Sequence, residues 1–286
     1  MARFIKGHGT ENDFVILVDP DADLKLEETH VVALADRRAG IGGDGVIRVA
    51  RAQALLDAGV LEALPQGVQP DEWFMDYRNA DGSLAEMCGN GVRVFAHVLA
   101  SEELIDTTKE CGVGTRAGRK TVQVHAYDDH SADVSVGMGT PELRGLSTAS
   151  VGDFRLAGLA VDMGNPHLAA VIPELTEEAL ADLPVDQPVE WDAEFFPHGV
   201  NLEVVTPLKD DSVHMRVHER GVGETRSCGT GTVAATVAAL ADAGRESGTV
   251  TVHIPGGTVT VEVRDDSSVL RGPSRIVARG ETDLLD

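Results

Sequence analysis

Two cysteines stand in matching strings. Met87-Cys88-Gly89-Asn90-Gly91 and Ser227-Cys228-Gly229-Thr230-Gly231 both read Cys-Gly-[Asn/Thr]-Gly, 140 residues apart. Each string leads into a stretch that is apolar almost all round, Gly91–Ser101 and Thr230–Ala243, the pattern of a buried helix. At such a helix start the first N–H groups lack intrahelical partners and the helix dipole places partial positive charge there. Glycines let the backbone approach a ligand closely, so a carboxylate binds well. A thiolate is stabilised in the same place. One helix end can therefore hold an anionic substrate and a reactive thiol together.

The match extends upstream. Asn79 lies nine residues before Cys88, and Glu219 lies nine before Cys228. A Gly/Asn turn also recurs ahead of each cysteine, at Gly9–Phe14 and at Gly164-Asn165-Pro166-His167. This matched context points to an internal duplication into two similar α/β halves. Halves related by a pseudo-twofold axis would aim two helix starts and two thiols at one cleft. A carbon held there can lose a proton to one thiolate and gain one from a thiol on the opposite face, which inverts it. The two thiols must exchange roles and titrate as a coupled pair. Donors preorganised around a carboxylate stabilise the carbanion, so this chemistry needs no cofactor.

Other readings of the same strings are weaker. Gly-rich helix entries often cradle phosphate, but GNGVR and GTGTV lack the Lys-Ser/Thr of a P-loop and the G-x-G-x-x-G spacing. Ser227 has no G-x-S-x-G elbow, which argues against a serine hydrolase. Cys111, in TTKECGVGT, has no partner motif and reads as a small buried hydrophobe or a plain surface thiol. Three widely separated cysteines make no disulfide scaffold and no zinc spacing, so no structural metal is expected and a reducing cytoplasm is the natural setting.

The elements that must position these residues are mostly strands. Among 286 residues, 31 are glycine, and short β-like runs bounded by Gly, Pro, Asp or Asn recur. They are Phe14–Val18, Val46–Val49, Thr121–Tyr127, Val134–Gly137, Leu159–Met163, Val200–Thr206, Val213–Val217, Thr249–Ile254 and Thr258–Val263. Glu28–Arg38, Gln53–Leu64 and Glu177–Leu183 read as amphipathic helices. Many strands, two central helices and no regular βαβ alternation describe an α+β protein with mixed sheets wrapped around helices. The string DDHS at Asp128–Ser131 is the best candidate boundary between halves. Apolar residues are 42% and charged residues 25%, as in a globular protein. A formal net charge of −23 argues against nucleic acid or an anionic membrane as partner. No apolar run is long enough to span a bilayer, and the N-terminus lacks a signal-peptide pattern.

The stretch from Asn79 to Arg93, NADGSLAEMCGNGVR, resembles the signature of the diaminopimelate epimerase family. Further blocks agree in the family's order: Gly7–Phe14, Met163–His167, Gly199–Asn201 and Glu219–Gly231. The resemblance covers essentially the whole chain. It implies two pseudo-symmetric domains, each a mixed sheet rolled around a central helix. The first would be 1–131 with a C-terminal return segment, 275–286, and the second 132–274. It implies interconversion of LL- and meso-2,6-diaminopimelate without pyridoxal phosphate, with Cys88 and Cys228 as the thiolate/thiol pair. By the same resemblance Asn12, Asn79, Asn165 and Asn201 bind substrate through their amides, Arg220 through a bidentate grip on a carboxylate, and Glu219 through an ammonium. Gly89-Asn90 and Gly229-Thr230 match the helix-start donors, and His167 and Glu219 match groups that tune the thiols. Members of the family are often homodimers.

Taken alone, Asn12, Asn79 and Asn165 read as turn residues, His167 as a loop histidine and Glu219-Arg220 as a surface pair. The chain also departs from the family. Gly45 stands where many members carry Gln, which removes a side-chain contact to substrate. The segment Ala50–Trp73 is longer than usual, and its helix-like part reads as a surface elaboration. Two rivals share the architecture. A proline or hydroxyproline racemase keeps both cysteines but usually carries His at the place of Asn90, and a phenazine-pathway isomerase lacks the cysteine pair. A third, from another class, is an amino-acid-binding protein that performs no proton exchange.

Overall fold

Both cysteine strings form helix starts. In a computed structural model, which describes residues 1–285, Cys88 and Cys228 are N-cap residues with extended backbones, φ −139° and ψ 116° for the first, φ −128° and ψ 117° for the second. Each sulfur accepts a hydrogen bond from the N–H three residues on, Gly91 and Gly231, at 3.4 Å. The thiols thus do what Ser or Asp does at an ordinary N-cap, satisfying one of the orphan donors.

The chain divides into two units, Met1–Val136 with Gly272–Asp286, and Gly137–Arg271. In chain order the elements of the first are β1 (Ala2–Gly9), β2 (Asn12–Val18), α1 (Glu28–Ala35), β3 (Gly45–Arg51), α2 (Ala52–Asp57), β4 (Trp73–Asn79), α3 (Gly89–Ser101), β5 (Cys111–Thr115), β6 (Gly118–Tyr127) and β7 (Ser131–Gly139). The second follows with β8 (Glu142–Val151), β9 (Phe154–Asp162), β10 (Pro166–Val171), α4 (Glu177–Ala181), β11 (Val189–Trp191), β12 (Asn201–Val205), β13 (Ser212–Glu219), β14 (Gly223–Thr225), α5 (Gly229–Asp242), β15 (Gly248–Ile254) and β16 (Gly257–Val263). A last long strand, β17 (Ser268–Thr282), contributes to both.

The two units repeat one order of pairings. In the first, β1–β2 is antiparallel, β2–β3 parallel, β3–β4 antiparallel, β4–β5 parallel, and β5–β6 and β6–β7 antiparallel. In the second, β9–β10 is antiparallel, β10–β12 parallel, β12–β13 antiparallel, β13–β15 parallel, and β15–β16 and β16–β17 antiparallel. The buried helix enters at the same place in both, α3 before β5 and α5 before β15. Because β17 also pairs with β7 and with β1, the strands of the first unit close into a ring of eight. Every residue of α3 from Gly89 to Ala100 is buried, and the helix packs on β1, β2, β3 and β6. Burial rather than propensity holds such a Val-rich helix. α5 is buried from Gly231 to Leu240 and packs on β9, β10, β12, β13, β15 and β16.

Three expectations are corrected. The turn at Asp128–Ser131 is a hairpin inside the first unit: Asp128 Oδ1 accepts from His130 N and Ser131 N at 2.7 Å each, and the units part at Val136/Gly137. The helix expected over Gln53–Leu64 stops at Asp57, where the chain turns back and Val60 N reaches Leu55 O at 2.9 Å. Nor is that segment only a surface elaboration, since Leu55, Leu61 and Val68 bury their side chains with Ala50, Ala52 and Phe74. β1, β4, β5, β8, β10, β11, β14 and β17 are additional strands.

One buried charge cluster fastens β3 to β4. Arg48 Nε and Nη2 donate to Asp76 Oδ2 at 2.9 and 2.6 Å, and Arg116 Nη2 meets Asp76 Oδ1 at 2.5 Å. Burial by itself would raise the Asp76 pKa, but Arg48, Arg116 and Arg78 hold it below the ordinary value. Asp76 lies three residues before Asn79 on the same strand, so the cluster fixes the strand end that carries the asparagine.

Candidate active site

The first half of the site gathers at the start of α3. Asn12 opens β2, and its Oδ1 accepts from Cys88 Sγ and from Asn90 Nδ2, both at 3.3 Å. Its Nδ2 donates to Asp44 Oδ2 at 2.7 Å, and Arg37 forks onto Asp13 and Asp44 to brace that loop. Asn79 ends β4, opposite Gly45 in register. Its amide turns to Ser83 Oγ at 3.0 Å. Gly45 leaves no room for a side chain: a Cβ there would meet Arg78 O at 2.4 Å and the Tyr77 ring at 2.6 Å. Gly89 and Asn90 are both buried at the helix start.

Arg93, one turn into α3, is fully buried. Its Nη2 donates to Thr10 Oγ1 at 2.9 Å and its Nε to Pro273 O at 3.3 Å, while Nη1 has no hydrogen-bond partner. Burial lowers its pKa to about 10, and the Cys88 charge pulls the other way. Cys88 therefore has a desolvated cation for a neighbour.

The second half gathers at the start of α5. Cys228 Sγ lies 3.5 Å from Thr230 Oγ1, and Asn165 Nδ2 donates to that hydroxyl at 3.4 Å. Asn165 Oδ1 faces His167 Nε2 at 3.1 Å, and His167 Nδ1 faces Glu203 Oε1 at 2.6 Å, both His167 and Glu203 being fully buried. Asn201, beside His167 in the parallel register, accepts from Arg220 N at 2.9 Å and donates to Pro166 O at 3.0 Å. The Arg220 guanidinium is exposed and donates to His198 O at 3.2 Å. Thr225 Oγ1 donates to Glu219 Oε1. Burial, then the charges of Glu219 and Glu203, push the Cys228 thiol well above its ordinary pKa, against weaker pulls from Thr230 and Gly231.

The family model described as diaminopimelate epimerase matches residues 4–144 and 159–277. A diaminopimelate epimerase of Corynebacterium aurimucosum is 61% identical over 99% of this chain and 100% of its own length. One of Mycolicibacterium paratuberculosis is 60% identical over 98% of this chain and 96% of its own. The chain belongs to the diaminopimelate epimerase family. It is an isomerase. Solved structures share the fold at low identity. A predicted epimerase of Pseudomonas aeruginosa superposes with TM-score 0.67 at 13% identity, covering 99% of both chains. A hydroxyproline epimerase of Agrobacterium vitis superposes with TM-score 0.66 at 13% identity, covering 98% of this chain and 90% of its own. A phenazine biosynthesis protein of Bacillus anthracis gives TM-score 0.65 at 14% identity, covering 98% of both.

Placed on the family fold, Cys88, Asn12 and Asn90 form one bonded set, and Cys228, Thr230, Asn165 and His167 form another. Asn201 and Arg220 form a third. Gly229 is buried beside Cys228. His167 is not a loop histidine: it sits on β10, fully buried. Cys111 is a free, half-buried thiol on β5 whose pKa burial raises, in line with an inert side chain. Sequence reasoning passed over Arg93 and Glu203 as site residues. Each carried a signal: a lone charge in an otherwise apolar helix, GVRVFAHV, and a lone acid in an otherwise apolar strand, NLEVV. Among the described residues no helix is long and apolar enough to cross a membrane, and no cluster of His, Cys, Asp and Glu is arranged to hold a metal.

Proposed function

We propose that the protein interconverts LL- and meso-2,6-diaminopimelate by 1,1-proton transfer between two thiols, Cys88 and Cys228. The observation that carries the reading is the shared cap geometry. Both sulfurs close the first turn of a buried helix, so each stands beside backbone N–H groups suited to a carboxylate. Two bases of one kind suit a reaction that must run in both directions at one carbon.

In this reading the domains are pseudo-symmetric, each sheet rolls around its helix, and each domain supplies one thiol of the pair. The substrate carboxylate next to that carbon docks on the helix-start donors of Gly89-Asn90 and Gly229-Thr230. Negative charge that develops as the Cα–H bond breaks is stabilised by these preorganised dipoles. Asn12, Asn79, Asn165 and Asn201 grip the polar groups, Arg220 forks onto the distal carboxylate and Glu219 takes an ammonium. Cys228, held protonated by burial and its acidic neighbours, enters as the acid. Cys88, beside the Arg93 guanidinium, enters as the base. After one turnover the proton inventory is reversed. Free thiols are required, which places the enzyme in the cytoplasm, where they stay reduced.

The deciding experiment follows deuterium into Cα. Reduced protein is incubated with LL-diaminopimelate in D2O without pyridoxal phosphate, with proline in a parallel tube. Deuterium in diaminopimelate together with meso product is the expected result. Uptake into proline alone would move the protein to the racemase branch, and uptake in neither would leave a binding protein.

A further inference from the structure

Glu203 is the lone acid of β12, a strand whose five residues are all buried. Its side chain is fully buried, and Oε2 has no hydrogen-bond partner. A carboxyl left so is costly, and a small apolar residue would serve the core better. Its other oxygen lies 2.6 Å from His167 Nδ1. On the far side of the ring, His167 Nε2 donates to Asn165 Oδ1 at 3.1 Å, so one proton resides on Nε2. A bare carboxylate cannot approach a bare ring nitrogen to 2.6 Å, so a second proton lies between Glu203 and Nδ1. The pair is neutral overall whichever partner holds that proton.

The bonding continues toward the sulfur. With its oxygen committed to His167, Asn165 must present its NH2 to Thr230 Oγ1, 3.4 Å away, and that hydroxyl touches Cys228 Sγ at 3.5 Å. Gly231 gives independent testimony to how tightly the carboxyl is seated. A Cβ at 231 would lie 2.6 Å from Glu203 Oε1 and 3.3 Å from Cys228 Sγ, so carboxyl and thiol flank one point of the helix start. The groups facing Glu203 are His167 from β10, Glu219 from β13, and Cys228 and Gly231 from the start of α5.

We propose that Glu203 is a positioning residue of the Cys228 half, which shares a proton with His167, fixes that ring as a donor and thereby turns the Asn165 amide and Thr230 hydroxyl toward the thiol. The proposal rests on the two-thiol reading. Burial and Glu219 raise the Glu203 pKa and His167 lowers it, as a shared proton requires.

The test compares wild type, Glu203→Gln and Glu203→Asp in the full-length reduced protein. It measures kcat and KM for deuterium exchange into diaminopimelate, the pH profile of Cys228 alkylation by iodoacetamide, and the ring 15N resonances of His167. Gln keeps the shape and removes the acid. It should lower kcat about tenfold or more, within the range typical when an orienting partner of an active group is lost. KM should change less. Alkylation of Cys228 should move up in pH, because the Thr230 hydroxyl that favours the thiolate is no longer held toward the sulfur. The 15N resonance of His167 Nδ1 should shift, because an amide cannot share its proton as the carboxyl does, and Asp should restore part of kcat. An active wild type with a folded Glu203→Gln variant of equal kcat, KM and alkylation profile would overturn the proposal. If Gln unfolds the chain, Asp decides by the same three readings, and unchanged values overturn it. A wild type that exchanges no deuterium sinks the two-thiol reading instead, and the alkylation profile and 15N spectrum then decide the role of Glu203 by themselves.

Discussion

Five residues past Cys88 stands a buried guanidinium, Arg93; five residues past Cys228 stands Val233. Around Cys88 the desolvated group is a cation, and around Cys228 the facing groups are acids, Glu219 and the Glu203 that shares its proton with His167. The two helix starts nevertheless share backbone angles, sulfur-to-N–H distances and place in the order of strands. Duplicated geometry supplies two similar caps, and divergent neighbours set them apart: burial and acids raise the Cys228 pKa, while Cys88 has a buried guanidinium nearby. A pair with identical surroundings would have no preferred resting state.

The largest effect should come from deleting either thiol. Cys88→Ala and Cys228→Ala are each expected to lower deuterium exchange by about 10³-fold or more, as loss of a positioned acid or base does. Full activity in one of them would break the equivalence of the halves.

Next in size is the contrast between the buried acids. Asp76 meets three guanidiniums and Glu203 a single imidazole. Asp76→Asn leaves those cations unpaired and should destabilise the protein by about 3 kcal/mol, measured by urea unfolding. The Asp76 pKa is depressed on folding. Its contribution is therefore complete above the unfolded value and fades as pH falls through the folded one. The Asn variant should accordingly show a flatter acid limb of stability against pH, and an unchanged limb would remove Asp76 from that role.

A smaller effect separates the thiols. Alkylation of Cys228 should still climb past pH 9.0, the ordinary cysteine value. Arg93→Met removes the cation that interacts with Cys88 and should slow Cys88 alkylation at fixed pH, and an unchanged rate would show that the guanidinium does not act on Cys88. The smallest expected change is in Arg220→Lys. A point charge cannot reproduce the planar fork, so KM for diaminopimelate should rise several-fold with kcat nearly kept.

How far these features could be read beforehand depends on their physical origin. The helix starts were legible because glycine, cysteine and an apolar run are local signals. The strand runs from Val200 and Val213 were legible by β-branched alternation. β1, ARFIKGHG, was not, since two glycines and three charged or polar residues mimic a turn, and only pairing with β2 and β17 makes it a strand. β4 carries Asp76 and Arg78, whose burial depends on Arg48 and Arg116 from other strands. His167 shows the same limit. Its burial is set by α5 packing over β10, which no window around Asn165-Pro166-His167 contains. The family signature singled out Asn12, Asn79 and Arg220 as candidates, where local rules gave only turns and surface.

The course of β17 bears on how the molecule is made. Ala2 pairs with Thr282, and α3 is tied to the last strand by Arg93 to Pro273 O and by His97 to Ser274 Oγ at 3.1 Å. On the ribosome, the unit that begins at Met1 emerges before the other and yet lacks one stave of its ring until β17 has been translated. At roughly 5–20 residues per second, that is a wait of some tens of seconds with β1 and β7 exposed as open edges. The carboxy-terminal unit, Gly137–Arg271, has all its residues before that tail is made. Folding should thus finish out of the order of synthesis, and a chain released a dozen residues short should hold a sound Cys228 half beside an unfinished Cys88 half.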